Sequence, residues 1–184
     1  MKNLLDYEHP TYALSNEESH RQTIESIQEA LILLMGKKPL SDISIKELCE
    51  KAGVSRGAFY RNYKTKDEVL QHIMLNCLNE VYPRMYPYRL DIYDNRFWLE
   101  FFKYALEHKH LYTLIIQNET SILTSDFSEQ IAHQIFHFDE NNPNYLLSYM
   151  IGAIAKVFFD WIKHGMIESP EEMADFLCRT TRGD

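Results

Sequence analysis

Apolar residues recur at helical intervals along most of this chain, and the polar residues between them mark where each helix begins and ends. Ile24, Ile27, Leu31 and Leu34 stand at i, i+3, i+7 and i+10. They form one stripe of a helix of roughly five turns that opens at the capping-box sequence Ser15-Asn16-Glu17-Glu18 and closes at Gly36. Ile45, Leu48 and Ala52 repeat the pattern over about two turns, between Ser44-Ile45-Lys46-Glu47 and Gly53. Glycine is the residue best able to take the left-handed conformation that ends a helix. Val54 fills the turn and Ser55 caps a further short helix carrying Arg56, Gly57, Ala58, Phe59, Tyr60, Arg61 and Asn62. A third capping box, Thr65-Lys66-Asp67-Glu68, opens a longer run through Val69, Leu70, Ile73, Met74, Cys77, Leu78 and Val81. That run is expected to stop at Pro83, because proline has no amide hydrogen to continue a helix.

The second half keeps the helical period but changes its chemistry. The stretch from Pro83 to Asp94 carries two prolines and three tyrosines and reads as a loop or hinge. Phe97, Phe101 and Ala105 then line one face, widened by Trp98 and Phe102, and brief helices are expected over Leu111 to Gln117 and Ser125 to Phe138. Asn141-Asn142-Pro143-Asn144 breaks the chain before Tyr145 to His164, a segment apolar almost all round, which predicts a helix buried on several sides. Lys156 and Asp160 argue against its crossing a membrane. Ser169-Pro170-Glu171-Glu172 supplies an N-cap, a proline at the first helical position and a glutamate two residues later for a last helix. No segment alternates apolar and polar residues as a half-buried strand would, so the fold is expected to be all-α.

Two short helices joined by a tight glycine turn are the pattern of a helix-turn-helix, whose second helix enters the major groove of DNA. The whole chain has a net charge of −8, a poor match to a nucleic-acid binder, but the charge is unevenly placed. From Gly36 to Lys66 there are eight bases and three acids, net +5, and beyond residue 75 nine bases and sixteen acids, net −7. A basic head on an acidic body would bind phosphates with a steep salt dependence. The competing interpretation, that these lysines only solvate a surface, loses weight beside the helix-turn-helix pattern.

The segment Leu48-Cys49-Glu50-Lys51-Ala52-Gly53-Val54-Ser55-Arg56-Gly57-Ala58-Phe59-Tyr60-Arg61-Asn62-Tyr63-Lys64-Thr65-Lys66-Asp67-Glu68-Val69-Leu70 resembles the TetR family of bacterial regulators. Its pattern is close to Ile-Ala-x-x-Ala-Gly-Val-Ser-x-Gly-Thr-x-Tyr-x-x-Phe-x-Ser-Lys-Glu-x-Leu. The departures are Leu48-Cys49 for Ile-Ala, Ala58 for Thr, Tyr63 for Phe and Asp67 for Glu. The resemblance implies phosphate contacts from Ser44, Lys66 and Tyr60, and places Arg56, Gly57, Phe59 and Asn62 at or near base edges. Ser55, Ala58 and Lys64 complete the expected DNA-binding set. Elementary chemistry agrees for several of these: helix N-termini favour anions, Arg takes guanine bidentately, and Gly permits close approach. An aromatic ring in a three-helix head is more often core than contact, which applies to Phe59 and more strongly to Tyr63, while Arg61 reads equally as a contact or as a surface residue.

The resemblance also implies a dimer, since such heads read two half-sites, and an effector signal received by the body. Candidate interface residues are Leu147, Ile151, Ile154, Phe158, Trp161, Met173, Phe176 and Leu177, with a monomer's core helix as the alternative. Candidate ligand-binding residues are the rings Phe97, Phe101, Tyr104, Tyr112, Phe136 and Tyr149, though any helical body also needs rings for its core. The C-terminal part is similar to dihydroxyacetone-kinase operon activators, and some relatives of that kind receive their signal from a partner protein. The expected organisation is a flexible leader over 1–14, a helix-turn-helix head over 15–75 and an effector-binding, dimerising body over 76–184.

Enzyme chemistry finds little support. His133 and His137 have the spacing of a two-histidine metal site but no third ligand, and His108 with His110 is a weaker pair. Six glycines form no phosphate loop, and Cys49, Cys77 and Cys178 fit reduced thiols in a cytoplasm. No cofactor, metal or membrane partner is expected. The sequence therefore points to a cytoplasmic, homodimeric regulator of an operator in double-stranded DNA. A repressor released by a small molecule is the leading form, and a co-regulator or activator signalled by a partner protein is the alternative.

Overall fold

The computed structural model describes residues 16–88, 94–118 and 145–182. The described residues hold eight α-helices: α1 Asn16–Met35, α2 Ile45–Ala52, α3 Arg56–Asn62, α4 Lys66–Met85, α5 Asn95–Glu107, α6 Lys109–Gln117, α7 Tyr145–Lys163 and α8 Pro170–Arg182. The leader, the Ser15 cap, the expected helix over Ser125 to Phe138, the Asn141 to Asn144 break, Phe136, His133 and His137 lie outside them.

The helix starts follow the hydroxyl caps. Ser44 Oγ accepts the Glu47 amide at 3.2 Å, Ser55 Oγ the Ala58 amide at 3.0 Å, and Thr65 Oγ1 the Glu68 amide at 3.1 Å. The reciprocal half of the capping box is missing in the first and shifted in the third. The Glu47 carboxylate turns to Lys38 Nζ at 2.6 Å, and Glu68 accepts the amide of Lys64 at 2.6 Å. At Ser169 the box closes in both directions, with the Glu172 amide on Ser169 Oγ at 3.2 Å and the Ser169 amide on Glu172 Oε2 at 2.7 Å. Gly53 ends α2 at φ +67°, and the amide of Val54 returns to the Cys49 carbonyl at 3.0 Å. A methyl group there would meet nothing within 4 Å, so the backbone angle and not crowding calls for glycine.

One expected boundary moves. Pro83 does not end α4; the helix continues to Met85 and a 3₁₀ turn follows over Tyr86–Tyr88. Val81 and Met85 on either side of the proline are each 1% exposed, and burying both side chains outweighs the loss of one backbone hydrogen bond.

Two apolar cores result, and α4 runs through both. The stripe Ile27, Leu31 and Leu34 of α1 covers α2, α3 and the first turns of α4, where Val69, Leu70 and Ile73 are buried. Cys77, Leu78, Val81 and Met85 of the same helix belong to the second core, with residues of α5, α6, α7 and α8. α5 lies along α8, tied by the Asn95 amide to the Asp175 carboxylate. α7 joins through its rings, Phe158 against Phe101 at 4.8 Å and Trp161 edge-on to Phe102 at 5.1 Å. Gly165 and Met166, both at positive φ, then reverse the chain into α8, and Trp161 Nε1 holds the turn by donating to the Glu168 carbonyl at 3.0 Å.

The two cores are joined by a contact that periodicity does not reveal. Ile115 of α6 is 1% exposed and lies in the head's core, not the body's. Three residues past it, capping the end of α6, the Asn118 side chain accepts the amide hydrogen of Leu40, which opens the 3₁₀ turn Leu40–Asp42 between α1 and α2. The amide end of the same side chain donates to the Leu114 carbonyl at 2.7 Å.

The outer surface of the body corrects the expected interface. Phe158, Trp161, Met173 and Leu177 are buried inside their own chain, because α5 and α6 cover that face of α7 and α8. Ile151 and Ile154 are partly covered, Phe176 is exposed, and the Leu147 side chain lies outside the described set. The uncovered face of α7 is Tyr145, Tyr149, Gly152, Ala153 and Lys156, with the two tyrosines 82% and 74% exposed.

Candidate nucleic-acid interface

Helix α3 has one side in the core and one side in water. Phe59 is 0% exposed, packed edge-on to Tyr60 at 5.4 Å and tilted against Tyr63 at 6.1 Å. Its expected place at a base edge is therefore corrected: the ring is the anchor that holds α3 to the head. Arg56, Gly57, Tyr60 and Arg61 are exposed, Tyr60 to 57%. Their spacing, i, i+1, i+4 and i+5, puts them on one helical face. At Gly57 an added methyl group would meet only Arg61 Nη1 and Ser55 Oγ, both at 3.8 Å, an ordinary contact. Nothing within the chain excludes a side chain there.

Two more expected contacts are otherwise engaged. Lys66 Nζ donates to the carbonyls of Leu40, Ser41 at 3.0 Å and Ile43 at 2.9 Å. An ammonium has three hydrogens, so all of its donors fasten the Leu40–Asp42 turn and none is left for a phosphate. The Asn62 amide nitrogen donates to the Ala58 carbonyl at 2.8 Å, while its oxygen is buried without a protein partner. The side chain is folded back along α3, away from any base edge. Ala58 is half-buried. Ser44 and Ser55 use their oxygens as cap acceptors, which leaves each hydroxyl hydrogen able to donate outward.

The positive charge of the head sorts in the same way. Lys38 is half-buried on Glu47, and Lys46 lies 3.8 Å from Glu50 across an exposed turn. Among the described residues no ion pair holds Lys37, Lys51, Arg56, Arg61 or Lys64, and all five are exposed. Arg61 and Lys51, absent from the expected contact set, are as available as Arg56. The Cys49 thiol behind this surface is buried, and burial pushes it up against the smaller opposing pull of the Arg56 charge. It is a protonated core thiol, not a reactive thiolate.

In the body, Phe97, Tyr104 and Tyr112 are buried and Phe101 is partly so, whereas Tyr149 stands out in solvent and is no part of an interior. Tyr104 donates to Glu80 Oε2 at 2.8 Å, and its ring stacks on His108 at 4.0 Å. Burial raises the Tyr112 and Tyr104 phenols well above their usual range, and the Cys77 thiol lies within hydrogen-bonding reach of both. Among the described residues no group of His, Cys, Asp or Glu could hold a metal ion, and no helix is long and apolar enough to cross a membrane.

Comparison with known proteins agrees with this geometry. The family model for bacterial regulatory proteins of the tetR family matches residues 27–73, and a model for a transcriptional regulator C-terminal region matches residues 95–183. No curated protein sequence matches the chain. Among solved structures, the chain is similar to NalD of Pseudomonas aeruginosa, the secondary repressor of the MexAB-OprM multidrug efflux pump. Identity is 21% and the TM-score 0.60, over 90% of this chain and 97% of that one. A TetR transcriptional regulator from Streptococcus agalactiae aligns at 14% identity and TM-score 0.58, over 89% of this chain and 96% of the other. One from Rhodococcus sp. RHA1 aligns at 18% and 0.54, over 91% and 98%. The head with its exposed α3, the helical body behind it and the two family matches lead to one conclusion: the chain belongs to the tetR family of bacterial regulatory proteins and is a DNA-binding transcriptional regulator.

Proposed function

We propose that the protein binds its operator as a homodimer, through α3 in the major groove, and is released when an effector occupies the body. The observation that carries the reading is the division of α3. Phe59 is wholly inside while Arg56, Gly57, Tyr60 and Arg61 present one exposed face. Arg56 suits bidentate contact with a guanine edge, Tyr60 a phosphate, and the bare backbone at Gly57 lets the helix lie close. Ser44 and Ser55 donate from their hydroxyls to phosphates at the starts of α2 and α3, and Lys64, Lys51 and Arg61 add charge.

Dimerisation is supported by the uncovered face of α7, where Gly152 and Ala153 lie between the exposed Tyr149 and Lys156 with Tyr145 one turn before, and by the exposed Phe176 of α8. Small residues next to exposed rings allow two helices to approach closely and still bury apolar area. Effector binding is supported by the ring-rich body core with its polar groups Tyr104, Tyr112 and Cys77, which suits an aromatic or apolar compound carrying a hydrogen-bonding group. Repression by occupying a promoter, and action in the cytoplasm, follow from that scheme. A partner protein could deliver the signal to the same body.

The test is a fluorescence-anisotropy titration against DNA flanking the protein's own gene, at two salt concentrations, with scrambled DNA as competitor. The reading expects competitor-resistant binding whose affinity falls with salt, and a slope reduced by about 1 on Lys64→Ala. Binding equal to that of scrambled DNA at both salts would remove the operator reading.

A further inference from the structure

Four polar side chains form a chain of hydrogen bonds at the edge of the head's core, Gln28 and Tyr63 buried and His72 and Asn76 half-buried. Gln28 of α1 is 8% exposed, an amide set in the buried stripe of its helix. Its oxygen accepts from Asn76 Nδ2 at 3.1 Å, and its nitrogen donates to the Tyr63 hydroxyl at 3.0 Å. That hydroxyl lies 2.7 Å from His72 Nδ1. His72 and Asn76 are one turn apart on α4, and Tyr63 is the residue that ends α3, its amide hydrogen on the Phe59 carbonyl. Three helices therefore meet at one phenol.

The donors can be ordered so that every group is satisfied. Asn76 gives a hydrogen to Gln28, and Gln28 gives one to Tyr63. The single hydrogen of the phenol has His72 Nδ1 as its acceptor, and this arrangement satisfies both groups when Nδ1 is bare and the ring proton sits on Nε2. Tyr63 stands where the family pattern has phenylalanine, so the hydroxyl at the centre of this chain of bonds is an addition at that position.

We propose that the Asn76–Gln28–Tyr63–His72 network positions the recognition helix, fixing the angle of α3 against α1 and α4 and thus the placement of Arg56 and Tyr60 on the operator. The proposal rests on the reading of α3 as the recognition helix. α3 has seven residues, too few to hold a conformation without packing. Its apolar anchor, Phe59, is non-directional and resists removal more than rotation. Hydrogen bonds are directional, and in a low-dielectric interior a broken one leaves an unsatisfied group, so a satisfied network selects one arrangement. Small errors in such placement weaken base contacts while leaving phosphate contacts largely intact.

The experiment compares the full-length protein with Tyr63→Phe, Gln28→Leu/Tyr63→Phe and Arg56→Ala, by operator and scrambled-DNA titration at a temperature where each is folded. The His72 ring nitrogens are followed by 15N NMR with and without operator. Tyr63→Phe is expected to weaken operator binding about tenfold and leave scrambled-DNA binding within about twofold. The double variant should recover thermal stability, because both buried partners become apolar, without recovering operator affinity. The NMR of the unaltered protein, which needs no variant to fold, should show His72 with a bare, hydrogen-bonded Nδ1 in both states. Undiminished operator affinity in folded Tyr63→Phe, or a protonated Nδ1 at neutral pH, overturns the positioning role. If Arg56→Ala weakens binding and Tyr63→Phe does not, that role alone fails; if neither does, the reading of α3 fails with it.

Discussion

The head and the body solve the same packing problem with different materials. The head's core is aliphatic, with two rings, Phe59 and Tyr63, whereas the body's holds seven: Phe97, Trp98, Phe102, Tyr104, Tyr112, Phe158 and Trp161. Around the small core the head sets three hydroxyl caps, the Lys66 clamp on the Leu40–Asp42 turn and the Gln28 network. Directional bonds of this kind hold short helices in one geometry, as a surface read against DNA requires. The body relies on edge-to-face rings and on the methionines Met85, Met166 and Met173, side chains that repack with less loss when a neighbour moves. One unit is built to hold a shape, and the other can admit a change.

That contrast can be broken by mutation. The largest effect is expected within α3 itself. Phe59→Ala should destabilise the protein by about 3–5 kcal/mol, and Tyr60→Ala by less than about 0.5 kcal/mol while weakening operator binding. Denaturant midpoints with operator titrations check both, and equal stability losses would mean that α3 lacks the two-sided build described here. Next comes Ile115→Ala, expected to cost about 2–5 kcal/mol although it lies in a body helix. Amide exchange should then quicken in α1 and α4; quickening confined to α5 and α6 would place Ile115 in the wrong core.

Asn118→Ala should cost about 1–2 kcal/mol by leaving the Leu40 amide hydrogen without its acceptor. The Leu40 amide should exchange faster, and unchanged protection there would remove the link between α6 and the head. The smallest effect is a pH dependence at the start of α8. The Ser169 amide and hydroxyl hold the Glu172 carboxyl below its usual 4.5, so the folded state favours the ionised form. Its contribution is present above that ordinary value and is lost as pH falls through the lower folded value. Glu172→Gln should therefore be less stable than the parent near neutrality, with the gap closing in acid. A gap independent of pH would show that the capping box owes nothing to the charge.

What could be read from the sequence was local. A cap is a matter of three or four consecutive residues, and Ser44, Ser55, Thr65, Ser169 and the left-handed Gly53 all stand where the sequence predicts. The helical stripes were equally legible, because periodicity reports that a face is covered. It does not report by what. Phe158, Trp161, Met173 and Leu177 form apolar faces suited to a partner, yet the chain covers them itself, and the open face of α7 is a tyrosine and small-residue surface that hydrophobicity alone underrates. Charge is ambiguous in the same way: Lys66 reads as a phosphate ligand until three carbonyls from a turn some twenty residues earlier are seen to hold it. Gln28, Asn76 and Asn118 carried no signal, since each finds its partner in a distant part of the chain.

The most direct test of the account is amide hydrogen exchange of the full-length protein with and without operator DNA. The two-sided α3 predicts that operator slows exchange across Arg56–Asn62 and at the start of α2, and leaves α5 and α8 unchanged. Protection that spares α3 while appearing elsewhere on the protein would contradict it.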